Sequence, residues 1–311
     1  ATSIIYSAGL YDAAVKKAHN NLATAKLTQY QLKNWQLRVK GAKVGRCLPN
    51  IALYNMQFPA SIKQQTCSDC LSGQSLGFQI RMAFQPIIDW HSKTIIAYEA
   101  LVRGPEGQGA AWVFEHINDS NKYYFDQACR VKAIETASRL GLKKLLSINF
   151  LPNAVYNPET CIRATIEAGD LFGFDITQIM FEVTEGEQII DQAKLKRIFE
   201  SYAKRGFITA IDDFGSGYAG LGWLTSLRPA VLKLDMGLIR DIDQDTVKQA
   251  VLKGILTVCC ELGTKVLAEG VESKAELDYL VASGINWYQG YYFAKPQLEK
   301  LLAHSEINGW L

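Results

Sequence analysis

The chain has 311 residues, of which 48% are hydrophobic and 21% charged, a composition typical of a globular protein with a sizeable core. It contains no run approaching the roughly 20 apolar residues of a membrane span. Its start lacks a charged-then-apolar signal sequence, so we expect a cytoplasmic protein.

The first part of the chain is basic. Residues 1–50 hold eight basic residues and one acidic residue, whereas the remainder holds 25 basic and 30 acidic residues, and this split indicates two functional parts. Residues 11–39 favour helix because they lack Pro and Gly, and we predict a helical linker or signalling segment over 1–44, attached to an upstream sensory module or partner. A basic helix could also contact a membrane surface or nucleic acid, but no strong amphipathic pattern or DNA-binding motif favours this, and the larger part is acidic.

Residues 45–78 are predicted to form an irregular connector, since they contain Pro49, Pro59, Gly73 and Gly77. Three cysteines cluster here, namely Cys47, Cys67 and Cys70. The Cys67–Cys70 spacing is that of zinc ligands, but a second CxxC or CxxH pair is missing, so free thiols are favoured over zinc.

From residue 79 to 311, short apolar runs alternate with helical stretches. The runs are 82–88, 94–102, 145–150, 179–184, 207–213, 231–235, 265–269 and 285–289. The helices are predicted at 122–140, 158–171, 187–205, 245–262 and 273–283, and four of them precede a glycine, at Gly141, Gly206, Gly263 and Gly284. This alternation predicts a parallel sheet. About eight strands without a GxGxxG sequence favour a closed (β/α)8 TIM-like barrel, preceded by the helical and irregular N-terminal extension.

Polar residues follow or end most of these runs. They are Glu99, Asn149, Glu182, Glu185, Asp212, Asp213, Lys233, Asp235, Glu269 and Gln289. Barrel enzymes carry their active sites at the carboxyl ends of the strands, so we expect these side chains to share one site.

The chemistry of that site follows from the residue types. Asp212 and Asp213 would repel each other unless a cation lies between them, and Gly215 and Gly217 permit the turn that brings both to one place. Carboxylates with one amide and no His or Cys suit Mg²⁺ or Mn²⁺, and their number predicts two ions. Two ions suit displacement at phosphorus, with Lys233 adding positive charge. An enolase-like proton abstraction is the lower-ranked alternative, since it needs fewer metal ligands and a clear base.

Two short motifs are misleading. Asp213-Phe214-Gly215 matches the kinase DFG sequence, but no glycine-rich loop or HRD sequence accompanies it. Gly215-Ser216-Gly217 is not a GxSxG nucleophile elbow, and none of the four histidines follows a strand as the base of a triad would.

Taken together, the motifs resemble the EAL family of cyclic di-GMP phosphodiesterases over residues 78–303. They are Phe84-Gln85-Pro86-Ile87, Glu99-Ala100-Leu101-Val102-Arg103-Gly104, Ser147-Ile148-Asn149-Phe150, Phe181-Glu182-Val183-Thr184-Glu185, Asp212-Asp213-Phe214-Gly215-Ser216-Gly217, Leu232-Lys233-Leu234-Asp235, Ala268-Glu269-Gly270-Val271-Glu272 and Gln289-Gly290-Tyr291. The contexts of Tyr98-Glu99 and of Lys233 to Met236 are most similar to the branch attached to blue-light-sensing BLUF domains.

The resemblance implies hydrolysis of cyclic di-GMP to linear pGpG by a homodimer. It implies one metal ion at Glu99, Asn149, Glu182 and Asp212, and a second at Asp212, Asp213 and Glu269. Lys233 and Glu269 would flank the attacking water, Gln289 would support the site, and Glu185 would anchor the loop 214–221, which contributes to dimerisation. The residues implied for substrate binding are Gln85, Arg103, Asp235, Phe293 and Pro296, whereas Tyr291 could equally be a core aromatic.

Some members of the family are inactive and only bind the nucleotide or a protein partner. They usually lack a ligand, and none is missing here, so catalysis is favoured over a receptor or interaction module. Ala219, Gly220 and Met236 depart from the common pattern at positions that are not ligands, and no GGDEF synthase motif is present.

Overall fold

The computed structural model describes residues 76–155, 157–184, 191–217 and 220–310. The predicted helix over 1–44, almost all of the predicted connector over 45–78 and the cysteines Cys47, Cys67 and Cys70 lie outside these residues. Glu185 lies outside them too. The predictions for these parts of the chain, including the domain boundary near residue 79, therefore stay predictions.

The described residues form a closed barrel of eight strands, in the order β2-β3-β4-β5-β6-β7-β8-β1 with β1 paired back to β2. The strands are β1 (Arg81–Asp89), β2 (Thr94–Arg103), β3 (Leu145–Asn149), β4 (Ile179–Thr184), β5 (Ile208–Phe214), β6 (Val231–Leu234), β7 (Lys265–Ala268) and β8 (Trp287–Tyr288). A two-residue strand, β9 (Gln297–Leu298), pairs with β1. The predicted TIM-like barrel is confirmed, and each of the eight predicted runs overlaps one of its strands.

The expectation of an all-parallel sheet is wrong for β1, which runs antiparallel to β2 and to β8. Only four residues connect β1 to β2, and a parallel crossover needs a dozen or more. The connection is a tight turn, in which the Asp89 carboxylate accepts hydrogen bonds from the amides of His91 (2.9 Å) and Ser92 (3.0 Å). Lys93 completes the turn with a φ of 51°. The first repeat is therefore a hairpin.

The helices lie outside the strands. They are α1 (Ala110–Phe114), α2 (Lys122–Arg139), α3 (Pro158–Cys161), α4 (Arg163–Phe172), α5 (Gln192–Lys204), α6 (Gly220–Leu227), α7 (Met236–Ile239), α8 (Thr246–Leu262) and α9 (Lys274–Ala282). Side-chain caps begin four of the predicted helices, at Asn157, Asp191, Asp245 and Ser273. The predicted helix 158–171 divides at Ile162, and α1, α6 and α7 were not predicted. Among the described residues, no helix is both long and apolar enough to cross a bilayer.

The core has two parts, separated by the barrel wall. A large cluster fills the space between strands and helices. A small cluster closes the barrel interior, and its buried members are Ile87, Ala97, Met180, Ala210, Val231 and Leu267. The polar side chains of the barrel interior lie directly above this apolar layer.

Candidate active site

The polar residues of the site lie one step above the apolar layer of the barrel interior. Successive side chains of a strand alternate between its two faces, so the residue two positions from an interior residue also faces the interior. The interior pairs are Ala97 and Glu99, Met180 and Glu182, Ala210 and Asp212, Val231 and Lys233, and Leu267 and Glu269. In the antiparallel β1 the step runs backwards along the chain, from Ile87 to Gln85. The strand period alone thus brings these six side chains to one level.

Lys233 is at the centre of the site and is completely buried. Its Nζ lies 2.7 Å from Glu269, 2.9 Å from both Glu182 and Asp212, and 3.8 Å from Glu99. Although burial lowers the pKa of Lys233, the four carboxylates raise it well above its ordinary value, so the ammonium form is the one present.

A hydrogen-bond network fixes the acids on one side of Lys233. The Asn149 amide donates to Glu99 (2.9 Å) and to Glu182 (3.4 Å), and the buried Ser147 hydroxyl donates to Glu182. On the other side, the Gln289 amide donates to Glu99 (2.7 Å) and to Gln85 (3.0 Å). Ser147 was not predicted as part of the site. Its only signal in the sequence is its position two residues before Asn149.

Asp212 and Asp213 occupy the same site because the backbone leaves strand geometry at Asp213. Asp213 has a φ of 52°, and its amide donates to the Asp212 carboxylate at 2.9 Å. Gly215, with a φ of 103°, continues the turn. The pairing of β5 with β6 shifts register between Ile211 and Phe214, so the strand is irregular at the two acids, although Asp212 still pairs with Thr184 of β4.

The acids form two groups that could each hold a cation. Oxygen atoms of Glu99, Glu182 and Asp212 lie within 4.8 Å of one another, and so do those of Asp212, Asp213 and Glu269. Asp212 belongs to both groups, which is the arrangement expected of a residue that bridges two ions. All of these ligand atoms are hard oxygens, and they fit a hard divalent cation.

The pKa values show that Lys233 alone does not balance the acids. Burial, with Asp212 and Glu99, raises the pKa of Glu182 to about 8 in spite of Lys233. Burial and Asp212 raise the pKa of Asp213 to about 6, and they raise the pKa of Glu269 well above its ordinary value. Without further positive charge, Glu182 holds its proton at neutral pH, which is a second reason to place cations among these acids.

A cavity of about 590 Å³ opens above the acids. Gln85, Asp213, Asp235 and Gln289 line it together with Glu99, Asn149, Asp212 and Glu269, whereas Lys233 and Glu182 are fully buried and do not line it. The Asp235 carboxylate also accepts from the Gly237 amide (2.7 Å) and so begins α7.

The predicted substrate-binding residues are placed differently from one another. Arg103 lies at the edge of the site, near Tyr291 and the Glu99 carboxylate, and its guanidinium donates to the Val102 carbonyl (2.8 Å). Burial lowers the pKa of Arg103. Pro296 is half-buried and lies outside the cavity wall.

Phe293 is not placed to meet a ligand. It is 1% exposed, and its ring packs against Trp90, Tyr288 and Tyr292 in the core, so the expectation that it contacts a guanine is wrong for this structure. Tyr291 has the opposite position, because it lines the cavity and is 54% exposed. A Cβ on Gly290 would lie 2.1 Å from the Val271 carbonyl oxygen, so only glycine lets the chain turn Tyr291 outward here.

Comparisons with known proteins agree with this geometry. The EAL domain family model matches residues 71–296. Among curated proteins, the chain is 32% identical over 217 residues to the blue light- and temperature-regulated antirepressor BluF of Escherichia coli, covering 70% of this chain and 54% of BluF. It is 30% identical over 225 residues to the probable cyclic di-GMP phosphodiesterase PdeG of Escherichia coli, covering 68% of this chain and 44% of PdeG. The chain thus spans about half the length of the curated relatives it matches.

Two solved structures are also similar. A standalone EAL protein from Vibrio cholerae O395, in its c-di-GMP bound form, is 52% identical with a TM-score of 0.72, covering 75% of this chain and 98% of that one. BlrP1 of Klebsiella pneumoniae, in a calcium/cy-diGMP complex, is 33% identical with a TM-score of 0.69, covering 73% and 58%.

Proposed function

Because this chain belongs to the EAL domain family, we propose that it hydrolyses one phosphodiester bond of cyclic di-GMP and releases linear pGpG. The observation that carries the proposal is the complete set of acids around Lys233, with Asp212 shared between two groups of potential ligands. Similar proteins support the substrate, since both solved structures described above hold cyclic di-GMP.

We infer that two divalent cations, Mg²⁺ or Mn²⁺, complete the site. Glu99, Asn149, Glu182 and Asp212 would hold the first ion, and Asp212 would also be a ligand of the second. Such a pair of ions would lower the pKa of the attacking water and stabilise negative charge on the oxygen atoms of the phosphate. BlrP1 has been solved with calcium and with manganese, which supports a site for divalent cations of this kind. The remaining ligands of the second ion are Asp213 and Glu269.

The chain's own residues would divide the chemistry as follows. Glu269 takes the proton of the attacking water, and Lys233, 2.7 Å away, stabilises the negative charge that develops beside it. Gln289 holds Glu99 in place from above. Gln85 and Asp235 face the substrate from the cavity wall, Arg103 meets a phosphate at its edge, and a guanine stacks on Tyr291.

Several predictions from the sequence extend this proposal without support from the described residues. Glu185 would anchor the loop 214–221, and the protein would act as a homodimer in the cytoplasm. Residues 1–78 would connect the barrel to a sensory module or partner. A zinc ion at Cys47, Cys67 and Cys70 stays the disfavoured alternative to free thiols.

The test is turnover of cyclic di-GMP by the full chain with Mg²⁺, Mn²⁺, Ca²⁺ or EDTA. We expect pGpG with Mg²⁺ or Mn²⁺, none with EDTA, and a loss of at least about 100-fold in Asp212→Asn, because the shared ligand is removed. Asp245→Asn is the matched control, since Asp245 caps α8 away from the site. Full turnover by Asp212→Asn or in EDTA would contradict the proposal.

A non-catalytic receptor is the second candidate function. One similar protein, BluF, is named an antirepressor, and this favours the candidate. Binding of cyclic di-GMP in the presence of Mn²⁺ without any pGpG over many hours would select the receptor over the enzyme.

A further inference from the structure

A pair of opposite charges is buried on α2, outside the barrel wall, and one of the two residues, Asp126, also lines the cavity of the site. Asp126 and Arg130 lie one turn apart on α2, with Nη2 of Arg130 2.7 Å from the carboxylate. Their side chains are 1% and 0% exposed. Burying two charges costs free energy that their attraction often only balances, so stability alone does not explain the pair.

The guanidinium of Arg130 rests on two rings that adjoin the metal-binding residues in sequence. Its central carbon lies 5.4 Å from the ring centre of Phe150 and 5.2 Å from that of Phe181. Phe150 follows Asn149, and Phe181 precedes Glu182. Because successive side chains of a strand point to opposite faces, Arg130 supports from outside the two strand ends that carry Asn149 and Glu182 inside.

Hydrogen bonds extend this support to the backbone and to a second helix. The Asp126 carboxylate accepts from the Leu151 amide at 2.9 Å, just past Asn149. Nη1 of Arg130 donates to the hydroxyl of Tyr202 on α5 at 3.0 Å. The Phe150 amide donates to the Glu182 carbonyl at 3.0 Å, which joins the two strand ends to each other.

We propose that Asp126 and Arg130 are positioning residues that hold Asn149 and Glu182 at the separation needed for one metal ion, an inference that rests on the proposed function. A planar guanidinium stacks on two rings while it also donates hydrogen bonds in fixed directions, and a lysine ammonium does not. Through its contacts with Phe150, Leu151 and Phe181, the charge pair on α2 thus fixes the distance between Asn149 and Glu182, whose side chains lie inside the barrel.

The test compares Arg130→Lys, which keeps the charge but loses the flat group, with Ser138→Ala. Ser138 lies on the same helix, and its hydroxyl donates to the Phe172 carbonyl (2.6 Å) at the far end of α2, so it reports loss of helix anchoring alone. The two readouts are the Mn²⁺ dissociation constant from calorimetry without substrate, and hydrogen exchange of the Phe150 and Leu151 amides without metal.

We expect Arg130→Lys to weaken Mn²⁺ binding by about tenfold, as supporting residues of metal sites do, and to speed exchange at both amides. Ser138→Ala should change neither, even where it lowers the melting temperature as much. Wild-type affinity and exchange in Arg130→Lys would overturn the inference.

If Arg130→Lys does not fold, Tyr202→Phe is the second variant, because it removes only the hydroxyl that accepts a hydrogen bond from the Arg130 guanidinium. It should weaken Mn²⁺ binding about threefold, and an unchanged affinity would overturn the inference. If the wild-type protein itself binds no Mn²⁺, the proposed function fails. That result can be told apart from failure of the positioning inference, because hydrogen exchange without metal still shows whether Arg130 fixes the Phe150–Leu151 segment.

Discussion

Replacing Lys233 by Met tests whether the lysine and the metal ions serve the same acids. Methionine has similar length and no charge, so the variant leaves buried carboxylates within 3 Å of an apolar group. Removing one partner of a buried ion pair costs about 3–5 kcal/mol. A domain of this size loses about 2–4 °C per kcal/mol, so the melting temperature in EDTA should fall by about 6–20 °C.

Saturating Mn²⁺ should reduce this loss, because each ion adds two positive charges to the acids that lost one. Turnover should nevertheless fall by about 100- to 10,000-fold, with KM changed less than about threefold, since Lys233 acts on charge that develops in the transition state. The assays are thermal scans in EDTA and in MnCl₂, and steady-state kinetics.

Lys248→Met is the matched control. The Lys248 ammonium donates to the Arg240 carbonyl (2.6 Å) outside the site, so its loss should not depend on Mn²⁺ and should leave turnover unchanged. A Lys233→Met melting temperature equal to wild type in EDTA, or a loss as large in Mn²⁺ as in EDTA, would refute the reasoning.

Three further predictions concern pH, a supporting hydroxyl and the cavity wall. In EDTA, the melting temperature should fall as the pH rises from about 5.5 to 8.5. The pKa values of Glu182 (about 8) and Asp213 (about 6) are raised in the folded protein, which therefore holds protons that the unfolded chain has already released over this range. Saturating Mn²⁺ should abolish the fall, and a melting temperature that rises with pH in EDTA would contradict the charge balance described for the site. Ser147→Ala, which removes the hydroxyl bonded to Glu182, should raise the Mn²⁺ concentration needed for half-maximal turnover by about tenfold while excess Mn²⁺ restores the rate; an unchanged metal requirement would show that the hydroxyl does not position Glu182. Tyr291→Ala should raise KM by about tenfold with kcat nearly unchanged, because stacking of a base on an aromatic ring contributes about 1–3 kcal/mol; a loss in kcat with KM unchanged would instead place Tyr291 among the residues that act on the transition state.

The site could be predicted from sequence because it depends on the strand period and on strand order. Glu99, Glu182, Asp212, Lys233 and Glu269 all lie two residues beyond an apolar interior position, and closure of the barrel brings such positions together whatever the details of the helices. The direction of β1 has no such signal, since an apolar run reads the same either way. The four-residue connection to β2 was the feature that excludes a crossover.

The residues that the sequence did not reveal are those whose role depends on which neighbour faces them. Asp126 and Arg130, four residues apart on a helix, have the spacing of an ordinary solvent-exposed ion pair, and only packing against Phe150 and Phe181 makes them buried. Phe293 and Tyr291 stand in one aromatic-rich loop, and backbone geometry alone decides which ring turns inward.

The antiparallel β1 also affects the order in which the protein can assemble during synthesis. The strand pairs with β2 as soon as the hairpin emerges, but its other edge, at Ile88 and Asp89, waits for Tyr288 and Trp287. About 200 residues separate these partners, which corresponds to roughly 10–40 seconds of translation at 5–20 residues per second. Throughout that interval the nascent sheet has two unpaired edges, which can pair with another chain. The barrel closes only when β8 has been synthesised and pairs with β1.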